Sequence, residues 1–198
     1  MVTDVQHTAV VCVECQNGVL GQEAILPALA RDNAHLVDRL RALLCGARGA
    51  GVRVVHATYD GVYGGHQIGT ARLWRTLNAG GGWRAGDVAT KVVPELLGAN
   101  DIVVPRHHGL YPTLDTELLP VLGGLGVHTV VLAGVSLNVA LPFTAGHMSQ
   151  AGFNVVVPRD AVGATPTEYG VEVLNNTIAF LGRLATVEEL LTEWGRIG

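Results

Sequence analysis

What this chain lacks narrows its function before any motif is considered. There is no excess of basic residues: 13 Lys and Arg against 17 Asp and Glu give a formal net charge of -4. The cations are scattered, so no electropositive face meets a phosphate backbone, and nucleic acid is not an expected partner. No apolar run approaches the roughly 18 residues of a spanning helix, and Met1-Val2-Thr3-Asp4 lacks the basic start and apolar core of a signal peptide. No membrane partner is expected, and the expected location is the cytoplasm. Cysteine is scarce. Cys12, Cys15 and Cys45 cannot all pair, and alternation along a strand would send Cys12 and Cys15 to opposite faces. Reduced packing thiols fit best. The most pointed absence is local: at Ala140 the chain offers no nucleophile, although the segment 130–140 reads as a buried strand, a sharp turn and a helix start.

The residues present suit a folded α/β protein. A length of 198 residues with 48% hydrophobic content is enough for one compact domain over 1–198 with a full core. Valine-rich runs recur at 9–13, 52–57, 102–104, 129–135 and 154–157. They are continuous rather than alternating, as in parallel strands covered on both faces. Leu26, Leu29, Leu36, Leu40, Leu43 and Leu44 keep near-helical spacing, and Gly49 to Gly51 form a helix stop. Helical patterns also fall at 114–125, 138–150, 169–181 and 187–194. With right-handed crossovers, the expected architecture is an open doubly wound parallel sheet, Rossmann-like, in three α/β/α layers. The glycine- and aromatic-rich stretch 59–86 is too long for a plain connector. It is expected to lid or line a pocket, or to dock on another subunit.

In such sheets ligands sit beyond the carboxyl ends of the strands. That rule selects Glu14, His56, the run Arg106-His107-His108 with Tyr111 beyond it, and 136–140, including Ser136, Leu137, Asn138 and Ala140. A carboxylate closing a core strand is partly desolvated. Glu14 is therefore expected to carry a proton near neutrality, unless a salt bridge with Arg106 or a loop cap holds it. A histidine of the 107–108 pair is a candidate proton relay, but the histidines lack the short spacing of a metal motif, and no metal or cofactor is expected. Asn138 reads as a helix N-cap, with the helix N–H groups behind it aimed at the pocket. Cys15 beside Glu14 is a poor thiolate, because a neighbouring carboxylate raises its pKa.

Together, 11–17 (Val-Cys-Val-Glu-Cys-Gln-Asn), 106–113, 134–140 with Thr144, and Asp160-Ala161 followed by Glu168-Tyr169 resemble the isochorismatase-like hydrolases, also called cysteine hydrolases, almost end to end. The resemblance implies an aspartate base, a charge-stabilising lysine and a cysteine nucleophile. At those places this chain carries Glu14, Val104 and Ala140, with Arg106 or an adjacent histidine as the nearest replacement for the lysine. The resemblance also implies a cis peptide ahead of Asn138, between Ser136 and Leu137, and a homodimer or homotetramer built on the apolar C-terminal helices.

Two readings follow. In the first, the chain is a hydrolase of a small molecule that works without a thiol, with Glu14 as acid/base, as in the cysteine-free isochorismatases of phenazine pathways that protonate a vinyl ether. This reading expects an enclosed polar pocket. In the second, the chain is an inactive relative, a small-molecule binding module or oligomeric scaffold. That reading expects a collapsed or apolar pocket around Ala140 and Glu14 tied in a salt bridge.

Overall fold

A computed structural model describes residues 4–21, 24–63, 69–79 and 83–195. Seven strands form the sheet: β1 (Thr8–Val13), β2 (Arg53–Tyr59), β3 (Ile102–Arg106), β4 (Thr129–Val135), β5 (Asn154–Pro158), β6 (Val162–Gly163) and β7 (Arg183–Ala185). Their order is β3-β2-β1-β4-β5-β7, with the short β6 against β4, and every pairing is parallel. From β1 the chain moves outward through β2 and β3, then crosses back to β4 and proceeds the other way. The order thus reverses between β1 and β4, and the crevice there is where open α/β sheets take their ligands.

The helices are α1 (Asn17–Leu20), α2 (Pro27–Asp32), α3 (Leu36–Gly49), α4 (Arg72–Ala79), α5 (Leu118–Gly124), α6 (Ala140–Gln150), α7 (Thr167–Val173), α8 (Ala179–Leu181) and α9 (Val187–Gly195), with a π-helical turn at Leu174–Ile178 between α7 and α8. Two apolar cores form because β1 is buried on both faces. Val10 and Cys12 face α3 and α9, where Leu36, Leu40, Leu43, Leu44 and Trp194 pack. Ala9, Val11 and Val13 face the other layer, with Leu118, Leu122, Leu141 and Met148. Truncating one of these buried leucines to alanine typically costs about 2–5 kcal/mol. None of the helices among the described residues is long and apolar enough to cross a membrane.

Several boundaries differ from the sequence expectation for identifiable reasons. The leucine pattern from 26 to 44 is two helices, because Asn33 donates its side-chain amide to Leu29 O at 2.7 Å and Ala164 O at 2.8 Å and breaks the run. The helix expected from 114 begins only at Leu118, after Asp115 adopts a left-handed φ of 53°. β3 continues past Val104 through Pro105 to Arg106. It lies at the sheet edge, where a proline's missing N–H is tolerated. The cis peptide is Val135–Ser136, one residue earlier than expected. In the C-terminal segments, Val173, Leu174, Ile178, Val187, Leu190 and Trp194 are buried in the chain's own core, leaving Tyr169, Val171 and Phe180 exposed.

Cys12 and Cys15 do not diverge as strand alternation predicts; both lie in the α3-side core. β1 ends at Val13, and Glu14 has φ 53°, a left-handed conformation uncommon outside glycine. That one residue turns Cys15 back under the sheet. Gly134, at φ 100°, accommodates the turn: a Cβ there would lie 2.3 Å from Val13 O and 2.8 Å from Cys15 Sγ.

Candidate functional site

At the β1/β4 crevice lies a cavity of about 480 Å³. Glu14 enters it from the end of β1 and Arg106 from the end of β3. Arg106 sits two residues beyond Val104 and therefore shares its strand face. The Arg106 Nη2 donates to Glu14 Oε1 in a close ion pair. The guanidinium also lies 5.1 Å from the Tyr59 ring centroid, and its Nε makes a long contact of 3.4 Å to Gly109 O. Arg106 is buried, and its Nη1 has no hydrogen-bond partner. Glu14 is more open, with 21% of its side chain exposed. The site thus holds an ion pair that keeps spare hydrogen-bonding atoms on both members.

Ser136, Asn138, Val139 and Ala140 form the side next to β4. Asn138 is not the N-cap of α6, a position held by Val139. Its side-chain amide donates to Thr165 O at 2.7 Å and its Oδ1 accepts from Thr165 N–H at 3.0 Å, which clips the turn to the β6 loop. The array of free N–H groups is thinner than expected: Leu137 donates to Gly163 O, and Val139 and Leu141 both donate to Ser136 O. Ala140 presents only a methyl group. Its neighbour Leu137 is 2% exposed and packs in the core beneath, so it does not line the cavity.

The remaining walls come from segments whose role was only partly legible. Trp74 and Leu77 of α4, together with Trp83, line the cavity, which places the 59–86 stretch as wall material. Residues 64–68 and 80–82 of it lie outside the described residues. Tyr59 tilts against both tryptophans, at 5.8 and 5.6 Å between ring centroids, and burial pushes its hydroxyl pKa above the ordinary value. Gln16 is fully buried and holds the corner together, donating to Tyr59 O and Thr90 O and accepting from Tyr59 N–H. Its sequence signal was its place directly after Glu14-Cys15. α2 closes the far side with Leu26, Pro27 and Leu29. The expected enclosed polar pocket is therefore corrected: around one ion pair the walls are apolar and aromatic.

Four residues selected from the sequence lie elsewhere. His56 is in the middle of β2, 1% exposed, with Nε2 at 2.9 Å from Asp101 Oδ2. Burial, outweighing Asp101, lowers its pKa below 6.5. β2 extends to Tyr59 rather than stopping at Ala57, so the residue at the strand end is Tyr59. His107 turns outward: its Nδ1 donates to Gly61 O at 2.9 Å, which leaves Nε2 to accept from the Tyr63 hydroxyl at 2.8 Å. His107 and His108 border a separate depression beside Asp115 and Glu117. Tyr111 tilts against Phe143 at 4.4 Å between ring centroids and does not line the cavity. Arg106, the first of its run and the last residue of β3, is the one that reaches Glu14, while His107, just past the strand end, is held outward by Gly61 and Tyr63. As for Cys15, the adjacent Cys12 thiol and burial push its pKa well above the ordinary range, which suits packing and not attack.

The comparisons with known proteins bear on the family and the fold. The chain is 34% identical over 101 residues to the uncharacterized isochorismatase family protein YecD of Escherichia coli O157:H7, covering 50% of this chain and 53% of that protein. The match thus spans only about half of that relative. It is 25% identical over 207 residues to the ureidoacrylate amidohydrolase RutB of Serratia proteamaculans (strain 568), covering 92% of this chain and 81% of that one. The crystal structure of a cysteine hydrolase from Pseudomonas syringae pv. phaseolicola 1448A superposes with a TM-score of 0.85 at 20% identity, over 100% of this chain and 97% of that one, a likeness of fold. The isochorismatase domain model matches residues 8–189, most of the chain, and the chain therefore belongs to the isochorismatase family.

Proposed function

We propose that this protein is a small-molecule hydrolase whose proton transfers run through Glu14, without a thiol. The observation that carries the proposal is the convergence of Glu14 and Arg106 on one cavity beside Ala140. With an amide, a carboxylate within reach of the cavity takes a proton from water as water adds to the carbonyl carbon and returns it to the leaving nitrogen. With a vinyl ether, the protonated carboxyl gives its proton to the terminal alkene carbon, takes one back from the water that adds to the resulting oxocarbenium carbon, and the hemiketal collapses to a carbonyl compound and an alcohol. Such transfer supplies about 10²–10⁴-fold in rate. The Arg106 guanidinium, two residues beyond the place where the family resemblance implies a lysine, stabilises the charge that develops on the substrate oxygen. The RutB relative is named as an amidohydrolase, which makes small amides the first substrates to try.

A second reading has support of its own. The apolar walls and the Glu14–Arg106 ion pair are what a binding protein that has lost the chemistry would carry. A panel of small amides, esters and vinyl ethers separates the two. Turnover by the wild type that falls at least 100-fold in kcat with Glu14→Gln supports the hydrolase. Turnover that survives the substitution removes Glu14 from the mechanism, and binding without turnover by the wild type favours the binding protein.

A further inference from the structure

We infer that Leu26, just ahead of α2, and Leu73 and Leu77 of α4 are specificity residues that make the cavity select ligands by an extended hydrocarbon body, with affinity rising as that body lengthens. The inference deepens the proposal above and rests on its location of the site, but not on its chemistry.

The first observation is an apolar wall that the fold leaves uncovered. α4 places Leu73, Trp74 and Leu77 along the cavity at positions i, i+1 and i+4 of one helix face, while Arg72 and Arg75 are exposed. Ile25 and Leu26 add to the lining from the α2 side. Trp74 is buried, but Ile25, Leu26, Leu73 and Leu77 are each only half-buried. A single half-exposed leucine is ordinary; several around one concave space mark a binding surface. Their apolar area stays against water until an apolar group replaces it, and the gain grows with the area covered.

The second observation is that the polar side chains of the lining are mostly engaged with the protein itself. Glu14 and Arg106, the charged members among the described lining residues, face one another. Gln16 uses its amide on Tyr59 and Thr90. Asn138 uses its amide on Thr165, and the Thr165 hydroxyl donates to Asp32 Oδ2 at 2.7 Å. A ligand rich in polar groups would leave most of them unpaired in an apolar space, which is costly. Hydrocarbon with one polar or reacting group near Glu14 suits this lining.

The third observation is that the space is braced. The Asp32–Thr165 bond and the Asn33 amide on Ala164 O fasten the C-terminal end of α2 to the segment after β6. The cavity of about 480 Å³ lies within the roughly 300–1,000 Å³ typical of drug-sized ligands, so a body longer than a short alkyl group is accommodated.

The test uses N-phenyl-1-naphthylamine, an uncharged dye that brightens in apolar surroundings, bound to the full chain at pH 7.5 and displaced by 1-butanol, 1-hexanol and 1-octanol. Affinity is expected to rise about three- to fourfold per added methylene. The diol 1,8-octanediol, as long as 1-octanol but polar at both ends, is expected to bind at least tenfold more weakly than 1-octanol. Leu77→Asp is expected to lower the affinity for 1-octanol at least tenfold, and the milder Leu77→Ala about threefold, which keeps the test decisive if the aspartate variant does not fold. Phe180→Asp, at a side chain 86% exposed and away from the cavity, is expected to change it less than twofold. No dye binding, a flat alcohol series, a diol that binds as well as 1-octanol, affinity that survives the Leu77 substitutions, or binding lost in Phe180→Asp would each overturn the inference. A steep series without turnover of any substrate would leave it standing while sinking the hydrolase, whereas turnover of short polar amides with a flat series would do the reverse.

Discussion

Two ion pairs in this molecule use the same chemistry to opposite ends. On the α3 side of the sheet, Asp101 is nearly inaccessible, with 3% of its side chain exposed. It accepts from Arg48 Nε at 3.1 Å and Nη2 at 2.6 Å, from His56 Nε2 at 2.9 Å and from the Gly98 N–H at 2.8 Å. Burial alone would push the Asp101 carboxyl pKa upward. The hydrogen bonds from Arg48, Gly98 and His56 outweigh it and hold the pKa below the usual value. At the crevice, Glu14 accepts one hydrogen bond and Arg106 keeps Nη1 unpartnered. The fully engaged Asp101 carboxylate fastens β3 to α3, with His56 Nδ1 the one atom of its cluster that is buried without a partner, whereas the Glu14 carboxylate is left with valences for something else. Coordination number, more than charge, separates a structural pair from a candidate site.

The comparison breaks most readily on stability. Asp101→Ala strands a guanidinium and an imidazole and is expected to cost about 3 kcal/mol, toward the low end for a broken buried pair because Arg48 keeps some solvent access. Glu14→Gln retains an acceptor for Arg106 and is expected to cost less than about 1.5 kcal/mol. Urea denaturation of both variants checks this, and equal losses would erase the distinction.

A smaller effect comes from pH. The folded protein holds His56 below its ordinary value of 6.5, so below that pH the unfolded chain binds a proton that the folded chain refuses. Stability is therefore present above about pH 6.5 and declines as pH falls through that value, by at most about 1.4 kcal/mol per pH unit for one group. The lowered Asp101 pKa works in the same direction at lower pH: its contribution is present above 3.8 and is lost as pH falls through the folded value. His56→Gln is expected to flatten the stability curve between pH 7 and 5, and an unchanged slope would assign the effect to another group.

The smallest effect is chemical. In a Cys45→Ser background, Ala140→Cys is expected to give a single thiol that N-phenylmaleimide labels in the native protein. Cys12 and Cys15, both buried, become reactive only on unfolding. Labelling that requires denaturant would mean that position 140 is not reachable through the cavity.

Much of this was legible in the sequence because it depends on period and composition. Continuous apolarity in five runs marked the parallel strands, and the end of β1 pointed to Glu14. The histidines were misplaced because the residue at the crevice is set by where a strand ends: two further residues of β2 put Tyr59, not His56, at the crevice, and β3 runs on to Arg106, leaving His107 past its end, held outward by Gly61 and Tyr63. Asn138 looked like a cap because Asn before a helix usually is one; its actual partner, Thr165, is 27 residues away. Trp74 and Trp83 were visible as aromatics in a long loop, without any local signal of what they would face.

The sequence by itself determined the parallel α/β sheet, the place of Glu14 at the end of β1, and the methyl group at position 140, since each follows from local pattern or residue identity. Only the tertiary structure decided that Arg106 rather than a histidine meets Glu14, that His56 is bound to Asp101, and that the cavity is apolar. These depend on contacts between residues far apart in the chain, such as 14 with 106 and 56 with 101. Strand register and a single left-handed residue choose such partners, and neither is written in any local period.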